Sequence, residues 1–146
     1  QKTPSQVAVM SENPLLERAR RFLSALRHCQ VLGLTVEAAD EKGLTLRLPY
    51  SQAIIGNPES GVVHGGAITT LMDTTCGIST VCVLPDFEIC PTLDLRIDYL
   101  RPGRGTRFTA SATLLRSGNK VAVVRSELHN ESDTLIAVGT GTYLCG

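Results

Sequence analysis

The spacing of apolar and polar residues predicts one helix and one β-hairpin in the first third of the chain. Apolar residues recur at helical spacing over residues 14–28, and Asn13 stands where a capping side chain is expected. Two runs of alternating apolar and polar residues follow, at 31–39 and 44–50, with the polar segment 40–43 between them. This pattern is typical of two antiparallel strands joined by a tight turn.

A second, longer helix and four further strands are predicted in the rest of the chain. Residues 51–63 are rich in glycine, proline, asparagine and serine, which is typical of a loop. The following helix begins near Gly65 and continues to about Val83, where the proline in segment 84–86 ends it. The predicted strands are 92–100, 106–116, 120–130 and 134–146. Short turns separate the last three, so they should form an antiparallel meander.

These elements predict an α+β fold, with a single domain over residues 1–146 and a flexible segment at 1–12. A helix of about 18 residues is about 27 Å long, and an antiparallel sheet of six strands needs a partner that covers its apolar face. Wrapping the sheet around the one long central helix meets both requirements. The N-terminal helix is then an addition to this core.

The central helix has two chemically different faces when its residues are placed at intervals of about 100°. One face is apolar and should pack on the sheet. Its members are Ile68, Leu71, Met72, Thr75, Ile78, Ser79 and Cys82. The opposite face, which we call the small polar face, consists of Gly66, Thr69, Thr70, Asp73, Gly77 and Thr80. Because an exposed face usually carries Lys, Glu, Gln or Arg, we expect this one to pack against a second copy of the chain. Simple exposure to solvent is the alternative.

The start of the central helix is a candidate site for an anion or a developing oxyanion. The first amides of a helix have no acceptor within it and carry the positive end of its dipole. Gly65 and Gly66 let a ligand approach them, and His64 lies immediately before. Asp73 lies about 12 Å farther along the axis, too far to reach the same carbonyl group. Two copies related by a twofold axis would bring the helix start of one to Asp73 of the other.

Composition and charge exclude several classes of function. Hydrophobic residues make up 42% of the chain, charged residues make up 19%, and the formal net charge is +0. These values describe a globular protein without a basic patch for nucleic acid or a membrane surface. No apolar run reaches the roughly 20 residues of a bilayer span, and the first residues lack the apolar core of a signal peptide. We therefore expect a cytoplasmic protein without nucleic-acid or membrane partners.

The cysteines predict reduced thiols rather than a disulfide framework or a metal site. Five are present, an odd number, and none forms a CxxC pair. We expect buried, reduced side chains at Cys29, Cys76, Cys82, Cys90 and Cys145. We expect no metal and no cofactor. A catalytic Cys76 is the alternative, although the sequence offers no obvious base beside it.

Two motifs resemble those of a known family. The first runs from Asn57-Pro58 through Gly61-Val62-Val63-His64-Gly65-Gly66-Ala67 to Asp73, and the second is Asp98-Tyr99-Leu100-Arg101-Pro102. Together they resemble the hotdog-fold acyl-CoA thioesterases of the phenylacetic-acid-degradation type, over roughly residues 30–145. The resemblance implies a sheet wrapped around a central helix and homodimers or homotetramers with active sites at the dimer interface. It also implies metal-free hydrolysis of a small or aromatic acyl-CoA.

The resemblance assigns roles to individual residues. The expected catalytic residues are Asp73, Gly65, His64 and Asn57, and the expected substrate-binding residues are Gly66, Thr92 and Thr70. By this resemblance, the Gly65 amide polarises the thioester carbonyl and His64 supports that region. Asp73 of the partner chain acts as nucleophile or as general base on a water. Asn57 positions the thioester or the water, and Thr92 stands where some members have a serine that assists the water.

The chain departs from the family pattern in the loop before the central helix. Asn57 lies seven residues before His64 where six are expected, so Ser60 corresponds to an insertion.

Hotdog dehydratases have a histidine five residues after the aspartate. Ile78 occupies that position after Asp73, which disfavours a dehydratase.

Three alternatives stay open at this point. The fold could be a binding module that holds an acyl-CoA or aromatic ligand without turnover, because a fold alone does not imply catalysis. Asp73 could be a buried residue that accepts hydrogen bonds from Thr69 or Thr70. The N-terminal helix lies outside the motifs and either covers an acyl pocket or packs at an interface.

Overall fold

The computed structural model describes residues 13–83 and 88–145. The helices are α1 (Pro14–Ser24), α2 (Arg27–Leu32) and α3 (Gly65–Val83). The strands are β1 (Thr35–Ala39), β2 (Gly43–Pro49), β3 (Thr92–Tyr99), β4 (Arg107–Ser117), β5 (Val121–Asn130) and β6 (Leu135–Leu144). The loop before α3 contains a short 3₁₀ helix, Gln52–Ile54. The predicted flexible segment 1–12 and the predicted helix end at 84–86 lie outside the described residues.

The strands form one antiparallel sheet that packs against α3, which confirms the predicted hotdog architecture. Its six strands are in the order β1-β2-β4-β5-β6-β3. Strands β4, β5 and β6 form the predicted meander. Helix α3 contacts β2, β4, β5, β6 and β3, so the sheet curves around it. Strand β3 pairs with β6 and lies at one end of the sheet.

The apolar face of α3 packs on the sheet as predicted, and every one of its seven members is at most 3% exposed. The small polar face differs from the prediction at its C-terminal end. Thr80 is fully buried, and its hydroxyl donates to the Gly77 carbonyl oxygen at 2.6 Å. Neighbouring Val81 is buried as well, in an apolar cluster that includes Cys90, Ala112 and Tyr143. The open part of the small polar face therefore ends at Gly77, which is half-buried.

The single N-terminal helix predicted over 14–28 is wrong, because the structure has two helices there. Asn13 caps α1 as expected, and its side-chain oxygen accepts a hydrogen bond from the Leu16 N–H at 3.0 Å. The chain then breaks at Leu26, whose backbone is extended. The break redirects α2 so that Cys29 is buried beside Thr74 of α3, with 3.5 Å between Sγ and Oγ1.

The hairpin is confirmed, but the predicted start of its first strand at residue 31 is wrong. Residues 31–32 belong to α2, which ends at Gly33 in the left-handed conformation (φ 78°). A glycine is favoured there because it has no Cβ to clash with the backbone. The turn at 40–43 forms as predicted, since the Asp40 carboxylate accepts hydrogen bonds from the N–H groups of Lys42 and Gly43.

All five cysteines are free and buried, as predicted. Burial raises the pKa of the Cys76 thiol to about 11. A thiol with so high a pKa is a poor source of nucleophilic thiolate, so the structure disfavours catalysis by Cys76. Among the described helices, none combines the length and the apolar composition that crossing a bilayer requires.

Candidate active site

The start of α3 presents one free backbone amide. The N–H of Gly66 donates to Nδ1 of His64 at 2.8 Å, and the N–H of Ala67 donates to the His64 carbonyl at 3.0 Å. Within the described residues, the N–H of Gly65 has no hydrogen-bond acceptor. Gly65 is exposed at the positive end of the helix dipole, so this N–H is available to an oxygen atom of a ligand.

His64 acts here as the cap of the helix. Its Nδ1 accepts the bond from Gly66, so Nε2 carries the proton in the neutral ring. A Cβ on Gly66 would lie only 2.9 Å from this Nδ1, which explains the need for glycine at that position. The imidazole thus fixes the backbone around the free Gly65 amide, consistent with the supporting role expected for it.

Tyr99, at the end of β3, ties that strand to the helix start. Its hydroxyl donates to the Gly65 carbonyl oxygen at 3.0 Å and lies 2.7 Å from the Thr69 hydroxyl. Thr69 itself donates to the same carbonyl at 3.1 Å. These contacts hold the first turn of α3 in place. The motif containing Tyr99 was recognised from the sequence, but this contact was not predicted.

Asp73 lies two turns farther along α3 and is oriented by two hydroxyl donors. The Thr92 and Tyr143 hydroxyls each donate to its Oδ1 at 2.9 Å. The alternative in which Thr69 or Thr70 bonds to Asp73 is therefore wrong. Oδ2 accepts no hydrogen bond from the described residues, and the side chain is half-buried at the surface of the helix. The carboxylate is thus held in one orientation with one oxygen free.

Tyr143 is the site residue that sequence reasoning missed. It is fully buried beneath α3 and also donates to the Asp73 main-chain oxygen at 3.3 Å. Burial raises the pKa of its phenol above the ordinary value, and nearby Cys76 and Asp73 raise it further. The phenol therefore stays protonated and remains a donor to the carboxylate. The alternation along the last strand was the only signal that could have pointed to it.

The remaining predicted residues lie around these two groups. The Thr70 hydroxyl donates to the Gly66 carbonyl at 3.0 Å and lies 3.2 Å from Nε2 of His28, on α2. Asn57 is exposed in the loop before α3, where its side-chain oxygen accepts hydrogen bonds from the N–H groups of Glu59 (3.0 Å) and Ser60 (3.4 Å). Its side chain therefore shapes the loop within this chain.

The site residues thus fall into two clusters on one helix. The amide cluster consists of His64, Gly65, Gly66, Thr69 and Tyr99, and the carboxylate cluster consists of Asp73, Thr92 and Tyr143. Gly65 and Asp73 are separated by about 12 Å of helix. An N–H at a helix start suits a developing oxyanion, and a fixed carboxylate suits a nucleophile or a general base. Together, they have the chemistry of acyl transfer.

Comparison with known proteins agrees with this chemistry. A family model described as thioesterase superfamily matches residues 60–137. The chain is 41% identical over 132 residues to YigI of Salmonella typhimurium, a medium/long-chain acyl-CoA thioesterase, covering 80% of this chain and 84% of that protein. It also resembles a Pseudomonas aeruginosa crystal structure at 69% identity and a TM-score of 0.81, covering 91% of this chain and 100% of that one.

A second solved structure extends the likeness over nearly the whole chain. This Shewanella oneidensis protein, described as related to the thioesterase superfamily, is 32% identical with a TM-score of 0.79, covering 99% of this chain and 100% of that one. Family model, relatives and fold agree. The chain belongs to the thioesterase superfamily and is a hotdog-fold thioester hydrolase.

Proposed function

We propose that the protein hydrolyses acyl-CoA thioesters at a composite site, built from the start of α3 in one copy and Asp73 of a second copy. The position of β3 carries this proposal. Its first residue, Thr92, hydrogen-bonds to Asp73, and its last residue, Tyr99, hydrogen-bonds to Gly65. Strand β3 therefore runs beside α3 from the carboxylate cluster to the amide cluster.

The free edge of β3 supports association of two copies. Strand β3 ends the sheet, so one of its edges is unpaired within the described chain. It also exposes apolar side chains, with Leu93 55% and Tyr99 50% exposed. An open edge with apolar residues is a surface on which a second strand can pair. We therefore propose that β3 of one copy pairs antiparallel with β3 of another about a twofold axis.

This pairing would complete the site. In an antiparallel pair of identical strands, Thr92 of one copy lies toward Tyr99 of the other. Asp73 of the first copy then lies beside Gly65 of the second, which removes the separation of about 12 Å within one helix. A homodimer would contain two such sites and is the smallest active unit in this proposal. The homotetramer implied by the resemblance would be a pair of these dimers.

The two clusters would act on opposite sides of the thioester carbonyl. The Gly65 N–H, aided by the helix dipole, would bind the carbonyl oxygen as negative charge grows on it. Oδ2 of Asp73 would take a proton from the attacking water or attack the carbonyl carbon itself. The CoA thiolate then leaves, and in the second route a water hydrolyses the acyl–Asp73 anhydride to release the acid and restore the carboxylate. In either route Thr92 and Tyr143 hold the carboxylate through Oδ1.

The other predicted residues have supporting places in this proposal. Gly66 is exposed and Thr70 half-buried on the open part of the small polar face, where both could contact the substrate. The side-chain oxygen of Asn57 is used within its loop, so its amide nitrogen is the group left to donate to the thioester or the water.

The substrate we propose is an aliphatic acyl-CoA rather than the small or aromatic one implied by the resemblance. The support is the 41% identity to a protein described as a medium/long-chain acyl-CoA thioesterase. We also propose a cytoplasmic location, since the five free thiols suit a reducing compartment.

Release of free thiol from a panel of CoA thioesters tests the proposed function. We expect turnover of octanoyl- and dodecanoyl-CoA by a protein whose mass in light scattering is that of a dimer or a tetramer. Binding of these thioesters without turnover would favour a binding module instead. Full activity in a monomer would contradict the composite site.

Replacing Tyr143 with phenylalanine is expected to lower kcat roughly tenfold, because a hydrogen bond to a charged group is worth about 1.5–3 kcal/mol. KM should change little, since the phenol lies beneath Asp73 rather than at the surface. The matched control is Tyr50→Phe, which removes a hydroxyl bonded to the Gly61 carbonyl instead. Equal effects of the two variants would contradict a positioning role.

A further inference from the structure

We infer that the acyl chain lies in a groove between α1 and the C-terminal half of α3, and that Gly77 and Phe22 set the chain length accepted. This inference rests on the proposed function and specifies its substrate. The groove has a volume of about 230 Å³. Its lining residues include Asp73, Thr92, Gly77, Val81, Phe22 and Leu26. It thus begins at the proposed catalytic carboxylate.

The groove has the chemistry of a hydrocarbon site. Beyond Asp73 and Thr92 it is bordered by Gly77, Ile78 and Val81 of α3 on one side. Phe22 of α1 and Leu26, two residues after the end of α1, cover the groove. Both side chains also pack on the hydrophobic core. Burial of each methylene in such surroundings is worth about fourfold in affinity. The N-terminal helix would therefore cover an acyl pocket, which is one of the two roles predicted for it from the sequence.

The length of the groove suits a chain of medium length. Asp73 and Val81 are separated by about 12 Å along the helix axis. An extended hydrocarbon advances at most about 1.5 Å per carbon, the length of one C–C bond. At least about eight carbons are therefore needed to fill the groove. The acyl chain would lie in the copy that supplies Asp73, while the other copy's Gly65 binds the carbonyl oxygen.

Gly77 keeps the groove open one turn beyond Asp73. A Cβ atom added to Gly77 would have one neighbour within 4 Å among the described atoms outside its own helix. This neighbour is Cε1 of Tyr143, at the ordinary contact distance of 3.6 Å. A Cβ at this position therefore fits the fold, and Gly77 borders the groove, so a larger residue there would take up space beside the acyl chain. Gly77 lies about 6 Å from Asp73 along the axis, so a chain reaches it only after about four carbons.

A second cavity does not suit this substrate. It has a volume of about 750 Å³ and lies near Cys82 and the β1–β2 turn, away from Asp73. Among the described residues that line it, the ionisable ones besides Cys82 are Asp40 and Glu41, and none is basic. Two carboxylates would repel the phosphates of CoA.

The test compares kcat/KM for butanoyl-, octanoyl- and dodecanoyl-CoA in the wild type, Gly77→Ala and Gly77→Val. We expect Gly77→Val to lower kcat/KM for dodecanoyl-CoA at least about tenfold and for butanoyl-CoA far less, because only the longer chain passes the new methyl groups. Gly77→Ala should show the same trend more weakly. Because alanine favours a helix more than glycine does, Gly77→Ala should also raise the midpoint temperature of thermal unfolding by about 2 °C. A lower kcat/KM in this more stable variant is then a loss of binding and not a loss of folding.

A second variant tests the cover of the groove. Phe22→Ala should lower the ratio of kcat/KM for dodecanoyl- over butanoyl-CoA at least about fivefold, since contact with the chain is lost. The control is Leu16→Ala, which removes an apolar α1 side chain that packs on the core and does not border the groove. It should leave the ratio unchanged.

The outcomes separate this inference from the proposed function. No thiol release by the wild type from any of the three thioesters would overturn both. Wild-type turnover with a chain-length profile that Gly77→Val leaves unchanged would overturn the groove alone. An equal fall for all three substrates in Gly77→Val would do the same.

Discussion

Replacing Asp73 with asparagine is expected to lower kcat for acyl-CoA hydrolysis by about 10²–10⁴-fold, because the variant has no base or nucleophile at that position. Asparagine is close in shape to aspartate, and its side-chain oxygen can still accept the hydroxyls of Thr92 and Tyr143, as Oδ1 of Asp73 does. We therefore expect the fold, the subunit mass and the affinity for acyl-CoA to change little. The measurement is thiol release under saturating substrate, with binding followed by calorimetry.

A matched control removes a negative charge elsewhere. Asp133 lies in the exposed turn before β6 with a φ of 61°, and asparagine tolerates this left-handed conformation well. Asp133→Asn should keep the wild-type kcat. Retention of wild-type kcat in Asp73→Asn would leave a thioesterase but exclude Asp73 as its catalyst.

Replacing Gly65 with proline is expected to lower kcat by about 10²–10³-fold, because it removes the one N–H that would stabilise the oxyanion. The substitution suits the fold. Gly65 is the first residue of α3, where proline is favoured and no internal hydrogen bond is lost. A Cβ at this position meets the Tyr99 side chain at 3.6–3.7 Å, an ordinary contact.

The comparison for this variant is Gly65→Ala, which adds the same Cβ and keeps the N–H. It should lose far less activity than Gly65→Pro, with thermal unfolding used to confirm that both variants are folded. Equal losses in the two variants would show that crowding at Gly65, rather than its amide, limits the reaction. That result would contradict an oxyanion site at the start of α3.

The helices and strands could be predicted wherever the signal is local. The periodicity of α3 and the alternation in β4 to β6 arise from neighbouring residues, so their positions are confirmed to within a residue or two. The prediction for the N-terminal region was wrong for two reasons. The local signal of Gly33, which ends α2 in the left-handed conformation, was overlooked. The break at Leu26 has no comparable local signal, because that side chain packs on the core.

The candidate site was predictable only in part, for a related reason. The relative position of Gly65 and Asp73 could be predicted because they lie on one helix, where sequence spacing gives distance. The hydrogen bond between Tyr143 and Asp73 joins residues 70 positions apart and depends on β6 passing beneath α3. The contact of His28 with Thr70 spans 42 positions and depends on the break between α1 and α2. No sequence spacing encodes contacts of this kind.

The pairing of two inactive variants in one assembly tests the central claim most directly. Asp73→Asn and Gly65→Pro chains carrying different tags would be co-expressed, purified through both tags and assayed for thiol release. If the site is shared, each mixed dimer contains one intact pair of Gly65 and Asp73. We then expect between about a quarter and about half of the wild-type rate, although each variant alone is nearly inactive. Mixed assemblies no more active than the separate variants would contradict a site built from two copies.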